Sequence, residues 1–274
     1  MSKNSVARAA PRPATADHLA IAHTLADVSA PAIMRHFRKA VAIADKKAAF
    51  GFDPVTAADE AAERTISKYL KRHHPDHGIH GEEYGVRLGT SSLVWVIDPI
   101  DGTKGFLVGS PMWGTLIGLR DGATPVLGMM NQPFTGERIW GTAKGSYWRV
   151  GDSPARRIRT RACARLADAA LAATHPDMFD PDALASFETV RRQAKFSRFG
   201  GDCYFYALLA AGHIDLVIEA GLKPHDIVAL IPIIEGAGGV VTTWTGGPAT
   251  EGGRIIASGD PALHEKAMKA LAAR

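Results

Sequence analysis

The chain has 274 residues, 46% hydrophobic, 22% charged and 7% aromatic, enough apolar material for one large or two small packed domains and too much for a disordered chain. Lys and Arg number 32 against 28 Asp and Glu, a formal charge of +4, which points to nucleic acid only where basic residues cluster. The densest basic stretch, from Arg156 to Arg165, lacks the interleaved aromatics of a strand-binding surface and reads as a solvated face.

Two cysteines, Cys163 and Cys203, exclude a disulfide scaffold and a Cys-rich zinc site. The apolar run 227–234 is too short to span a membrane and is interrupted by Pro232. Residues 1–16 carry Lys3, Arg8 and Arg12 with no signal-peptide core, so they read as a flexible leader. A soluble, cytoplasmic protein with no nucleic-acid or membrane partner is expected.

In chain order, Leu19, Ile21, Ala22 and Leu25 form an apolar side that predicts a helix starting near Asp17. A second helix, 56–72, is ended by His74-Pro75, and a short strand at 78–80 precedes Gly81-Glu82-Glu83. Strands follow at 93–97, 113–119 and 126–130, the last two joined through Asp121-Gly122, then at 139–142 and 147–150 around Lys144-Gly145. From about residue 151 the pattern alternates: strand 169–173, helices 181–193 and 202–211, strand 215–218, helix 224–235, strands 240–243 and 254–257, helix 262–272. Sheet first and mixed elements after suggest an α/β (α+β) protein in two tightly joined halves, 17–150 and 151–274, forming one compact unit.

The segment Trp95-Val-Ile-Asp98-Pro-Ile-Asp101-Gly-Thr103 sets two carboxylates where a buried strand ends. Pro99 blocks strand continuation, and Gly102 permits a tight turn close to a ligand. Paired carboxylates on such a turn can converge on hard cations, while the Gly102 and Thr103 amides at a helix start can hold phosphate oxygens. Taken singly, each acid has an ordinary alternative. Asp98 suits a polar turn, Asp59 a capping box with Thr56, and Glu82-Glu83 an exposed loop pair. Asp226 complements a helix dipole after Pro224, and Asp202 suits a helix N-cap. Glu235-Gly-Ala-Gly-Gly239 reads as a helix C-cap, and neither a P-loop nor a nucleophile elbow occurs. His73, His74, His77 and His80 lack zinc spacing and read as a solvated turn.

The order Thr56-x-x-Asp59, Gly81-Glu82-Glu83, Asp98-Pro-Ile-Asp101-Gly-Thr103 and Glu219-x-Gly-x-x-x-x-Asp226 resembles the inositol monophosphatase family, metal-dependent phosphomonoesterases related to fructose-1,6-bisphosphatases. The resemblance spans residues 50–245 and implies a layered αβαβα sandwich, magnesium dependence, a small phosphate-ester substrate and a homodimer. It places Glu82, Asp98 and the Ile100 carbonyl around one magnesium and Asp98, Asp101 and Asp226 around a second. Glu82 and Asp59 would serve a third, weaker ion, so two to three ions are implied. Glu82 and Thr103 would orient the attacking, metal-activated water, with Asp59 supporting Thr103. One departure is visible: His225 stands where many members have Trp.

Lys104-Gly-Phe106, Gly201-Asp202-Cys-Tyr and the run from Glu219 to Asp226 resemble the histidinol-phosphatase branch more than the inositol enzymes. Asp202 and Glu219 would face the non-phosphate part of the substrate, where acids suit an ammonium and an imidazole. Hydrolysis of L-histidinol phosphate, a step of histidine synthesis, is the leading expectation. Inositol-1-phosphate or broader sugar-phosphate hydrolysis is the alternative of the same class, and a non-catalytic, metal-dependent anion-binding protein the alternative of a different one.

Overall fold

The computed structural model describes residues 12–39, 43–45 and 54–273, without the side chains of 43–45 and 54–55. Helix α1 (Ala16–Met34) is followed by a two-stranded ribbon of β1 (Ile43–Asp45) and β2 (Pro54–Thr56), and then by α2 (Ala57–His73). Next come β3 (Gly78–Gly81), β4 (Gly85–Arg87), β5 (Leu93–Asp101), the short α3 (Thr103–Leu107) and β6 (Gly114–Asp121). The strands β7 (Thr124–Gln132), β8 (Glu137–Thr142), β9 (Gly145–Val150) and β10 (Arg156–Ile158) complete an eight-stranded sheet ordered β10-β9-β8-β7-β6-β5-β3-β4. The second half runs β11 (Ala170–Ala173), α4 (Pro181–Arg191), β12 (Phe196–Phe199), α5 (Asp202–Ala210), β13 (Leu216–Leu222), α6 (Pro224–Ile227) and α7 (Leu230–Gly236). It ends with β14 (Val240–Thr243), β15 (Gly253–Ser258) and α8 (Pro261–Ala272), giving a five-stranded sheet ordered β12-β11-β13-β15-β14.

Period-two burial on the central strands defines the layers. Ile117, Leu119, Leu127, Met129 and Trp140 pack against Ile21, Leu25, Ile66 and Leu70 of α1 and α2. Their strand neighbours Leu116, Met130, Ile139 and Trp148 point the other way, into a core shared with α5, α6, α7 and with Val217, Ile255 and Ala257 of the second sheet. The outer face of that second sheet packs on α4 and α8 through Leu216, Ile218, Phe187 and Leu263. The result is the expected αβαβα sandwich, with α5–α7 as its central layer. Helix α2 forms where the sequence predicts it, with Ala58, Ala62, Ile66 and Leu70 on one buried face, a Thr56/Asp59 capping box and a basic last turn.

Several expectations are corrected. Strand β5 runs past Pro99 to Asp101, its register with β6 shifting between Asp98 and Asp101, so the proline makes a bulge instead of an end. The single helix expected over 224–235 is two, α6 and α7. Pro232 has no N–H to close a turn on the Val228 carbonyl and is tolerated because it falls in the first turn of α7. Part of the basic stretch is strand β10, paired with β9, with Arg156 and Arg157 outward and Ile158 buried. The first sheet therefore extends beyond the 150/151 division. Strand β12, parallel to β11 at the sheet edge, has no counterpart among the predicted elements. Of the expected leader, residues 1–11 lie outside the described residues, while the Arg12 N–H donates to Asp121 Oδ2 at 2.7 Å and Thr15 caps α1.

Helix α7 lies unusually close to the first sheet because Gly118, Gly128 and Gly141 are register neighbours across β6, β7 and β8. A Cβ on Gly128 would stand 1.7 Å from the Ala229 carbonyl oxygen, and one on Gly141 would stand 2.3 Å from that of Pro232. Gly128→Ala is expected to destabilise the protein by about 3 kcal/mol. In thermal denaturation that corresponds to a midpoint lower by roughly 6–12 °C; an unchanged midpoint would contradict this packing.

Candidate active site

The bulge in β5 builds the centre of the site. Asp98 Oδ1 accepts from the Ile100 N–H at 3.0 Å, and the Thr115 hydroxyl donates to the Pro99 carbonyl at 2.9 Å, fixing the irregular backbone from both sides. Gly102 then turns the chain at φ 89° into α3, and the Thr103 hydroxyl donates to the Ile100 carbonyl at 3.0 Å. On the facing segment, the Lys223 N–H donates to Asp226 Oδ2 at 2.7 Å at the start of α6. Carboxylate oxygens of Asp98, Asp101 and Asp226 thereby lie within 4.8 Å of one another. Three of the residues assigned to the metal centre are thus brought together.

Glu82, the residue that follows β3, comes up beside Asp98. This strand runs parallel to β5, and the Glu82 N–H donates to the Ile97 carbonyl at 3.2 Å, so the side chain lies beside Asp98 and hydrogen-bonds to it. A residue the sequence reading missed holds this turn. Glu63, fully buried on α2, accepts from the Glu83 N–H at 2.7 Å and the Tyr84 N–H at 3.0 Å. Gly81 makes room for it, since a Cβ there would stand 1.8 Å from Glu63 Oε1. The available signal was an acid on the apolar face of α2, four residues after Asp59.

Asp59 is buried and accepts from both the Thr56 N–H at 2.9 Å and the Thr56 hydroxyl at 2.6 Å. The capping-box reading is therefore correct, and the expected contact with Thr103 is not made, because that hydroxyl is engaged with Ile100. Burial, with Glu82 nearby, nevertheless pushes the Asp59 carboxyl up to about 6. His225 is buried, its ring edge-on to that of His80 at 6.5 Å.

The two residues assigned to the substrate side behave differently. Glu219 is buried behind the site, Oε1 accepting from the Thr174 N–H at 2.8 Å and hydroxyl at 2.6 Å and Oε2 from the Tyr206 hydroxyl at 2.8 Å. Neither Thr174 nor Tyr206 was singled out by the sequence. Asp202 is half-buried and is not an N-cap: Gly201 occupies that position and Asp202 is the first residue of α5. Burial, reinforced by Glu219, pushes its carboxyl up to about 7 despite the opposing charge of Lys104.

Burial drives the Asp98 and Asp101 carboxyls well above the ordinary carboxylate range. The charges of Glu82, Asp101 and Asp226 add to the effect at Asp98, and those of Asp202 and Asp226 at Asp101. Among the described residues neither acid forms an ion pair with Lys or Arg. The donors are all hard oxygens, and this set fits a divalent cation of the calcium or magnesium type. Acids whose folded-state values lie above their unfolded ones destabilise the fold fully at high pH, and the penalty shrinks as pH falls through those values. Without divalent cation, stability should therefore rise on acidification through about 7 and about 6, as Asp202 and Asp59 take up protons. Added divalent cation should raise the melting midpoint more at pH 8 than at pH 5.5; equal shifts at both would sink the assignment.

The inositol monophosphatase family profile matches residues 15–274. The chain is 41% identical over 263 residues to the chloroplastic bifunctional phosphatase IMPL2 of Arabidopsis thaliana, covering 92% of this chain and 74% of that one. It is 34% identical over 258 residues to the histidinol-phosphatase of Streptomyces coelicolor, covering 92% and 96%. The fold superposes on an inositol monophosphatase from Zymomonas mobilis with a TM-score of 0.84 and 39% identity, covering 95% of this chain and all of that one. With the acidic centre assembled and the profile matched from Thr15 to the C-terminus, the chain belongs to the inositol monophosphatase family of phosphomonoesterases.

Proposed function

We propose that this phosphatase hydrolyses L-histidinol phosphate to L-histidinol and phosphate with magnesium, serving histidine synthesis. The observation that carries the choice of substrate is Asp202, a half-buried acid beside the cation centre whose carboxyl is raised to about 7. A cationic group placed against it would restore its charge and gain a charge-assisted hydrogen bond. Histidinol phosphate offers an ammonium and an imidazole, whereas a polyol phosphate offers neither. The similarity to the Streptomyces histidinol-phosphatase supports this reading. The 39% identity to the Zymomonas inositol monophosphatase favours a second one, inositol-phosphate hydrolysis, in which a hydroxyl would meet the same acid.

Glu82, Asp98, the Ile100 carbonyl, Asp101 and Asp226 would hold the magnesium, which when bound neutralises phosphate charge and acidifies water. The remaining work falls to the chain. Glu82, hydrogen-bonded to Asp98, takes the proton of the attacking water. The Thr103 hydroxyl donates to Ile100, so its lone pairs are left to orient that water. Asp59, held by Thr56, lies close enough to Glu82 to feel its charge and does not support Thr103. The Gly102 and Thr103 amides at the start of α3 hold phosphate oxygens.

Asp101→Asn should reduce turnover by about 100-fold or more while leaving the protein folded. Asp202→Asn should raise KM for histidinol phosphate about tenfold and change that for inositol-1-phosphate far less. The deciding measurement is a side-by-side kcat/KM comparison of histidinol phosphate, inositol-1-phosphate, fructose-1,6-bisphosphate and adenosine 3′,5′-bisphosphate. Preference for any but the first overturns the substrate, and absence of phosphate release from all of them overturns the enzyme.

A further inference from the structure

The two halves of the site meet through one amide. The Cys203 N–H, in the first turn of α5, donates to Asp101 Oδ1 at 2.8 Å across 102 residues of chain. Cys203 Sγ also lies 3.9 Å from the Asp101 main-chain oxygen. Asp101 sits at the end of a bulged strand, paired with Gly114 beyond the register shift. A single donor on one oxygen selects one orientation, as outer partners do for ligating carboxylates in general.

That amide is aimed by the residue before it. Asp202 has φ +43°, and apart from Arg38 it is the only non-glycine residue among those described with positive φ. A side chain with Cβ is disfavoured there, with Asn and Asp the least penalised and β-branched residues the most. The conformation is not explained by capping, since the start of α5 has no side-chain cap bond. It is matched by the turn it touches. Gly102, with φ +89°, has no Cβ, and one placed there would stand 3.2 Å from Asp202 Cβ and 3.0 Å from the Met112 carbonyl. Two left-handed turns, one from each half of the chain, therefore interlock beside Asp101.

We propose that Asp202 is a positioning residue for the cation centre, its left-handed backbone directing the Cys203 amide onto Asp101 and so setting that carboxylate. The role belongs to the backbone of residue 202, separately from whatever its carboxylate contacts. It rests on Asp101 being a cation ligand but not on the identity of the phosphate ester.

The test compares variants that all lack the charge and differ only in backbone preference: Asp202→Asn, Asp202→Gly, Asp202→Ala and Asp202→Val. Manganese binding to the full chain is followed by loss of the free-ion paramagnetic signal, with magnesium as competitor, alongside melting midpoints. The Asn and Gly variants should bind manganese alike, and the Ala and Val variants progressively more weakly, the latter by about tenfold. Should the Val variant not fold, the Ala variant against Gly carries the comparison. Equal manganese affinity in all the folded variants, whatever their midpoints, would falsify the positioning role. Asp101→Asn serves as the separate control: unchanged manganese binding there would remove Asp101 from the cation centre, whereas the ranking at position 202 tests the turn.

Discussion

Mutual repulsion among Glu82, Asp98, Asp101 and Asp226 is the constraint around which the rest of the molecule is arranged. Two like charges about 4 Å apart cost about 4 kcal/mol even at an effective dielectric constant of about 20. A few such pairs rival the whole stability of a domain, about 5–15 kcal/mol. The burial of Asp98 and Asp101 worsens the cost, which is why their carboxyls hold protons so far above the usual range. A structure that keeps these acids together must either protonate them or place a cation among them, and it must prevent the chain from relaxing away.

The restraints are mostly backbone ones, and they come from different layers. Glu63 in α2 clamps the turn that carries Glu82, the Thr115 hydroxyl in β6 clamps Pro99 in the bulge, and the Cys203 amide in α5 clamps Asp101. Asp226 is tied to the Lys223 amide, and the segment that follows it is pressed onto the glycine track of β6, β7 and β8. In each case a donor or a close backbone contact fixes the acid or its turn, and Asp98 and Asp101 each accept from a main-chain amide. The kind of partner matters chemically. An arginine partner would stabilise the acid-rich fold at the expense of cation binding, whereas an amide orients the carboxylate and leaves most of its charge available.

Legibility in the sequence followed the range of the interaction concerned. The Asp98–Thr103 stretch was readable because its proline, glycine and two acids act within a few residues, and the order of acids along the chain was enough to place the family and its layered sandwich. Helix α2, its capping box and the central strands were readable from periodicity. Glu63, Thr174 and Tyr206 were not, because their meaning arises only across separations such as the 45 residues between Thr174 and Glu219. Asp202 illustrates the opposite failure: a helix start was visible, but the left-handed backbone depends on a turn one hundred residues earlier and has no local signature. Pro232 marks an interruption of an apolar run, but the division of α6 from α7 depends on which carbonyl loses its donor and is not legible from the run itself.

The overall charge of +4 and the local chemistry point in opposite directions, and the local one governs the reaction. A phosphate dianion approaching Asp98, Asp101 and Asp226 meets like charge until a divalent cation reverses the sign of the pocket. Asp202 lies at the margin of that reversal, its carboxyl raised by burial and Glu219 and lowered by Lys104. In the proposed reaction the cation centre would attract the phosphate end of the substrate and Asp202 a positive end. A substrate with both charges would satisfy both, which ties the proposed selectivity for histidinol phosphate to the same carboxylate crowding that demands the metal.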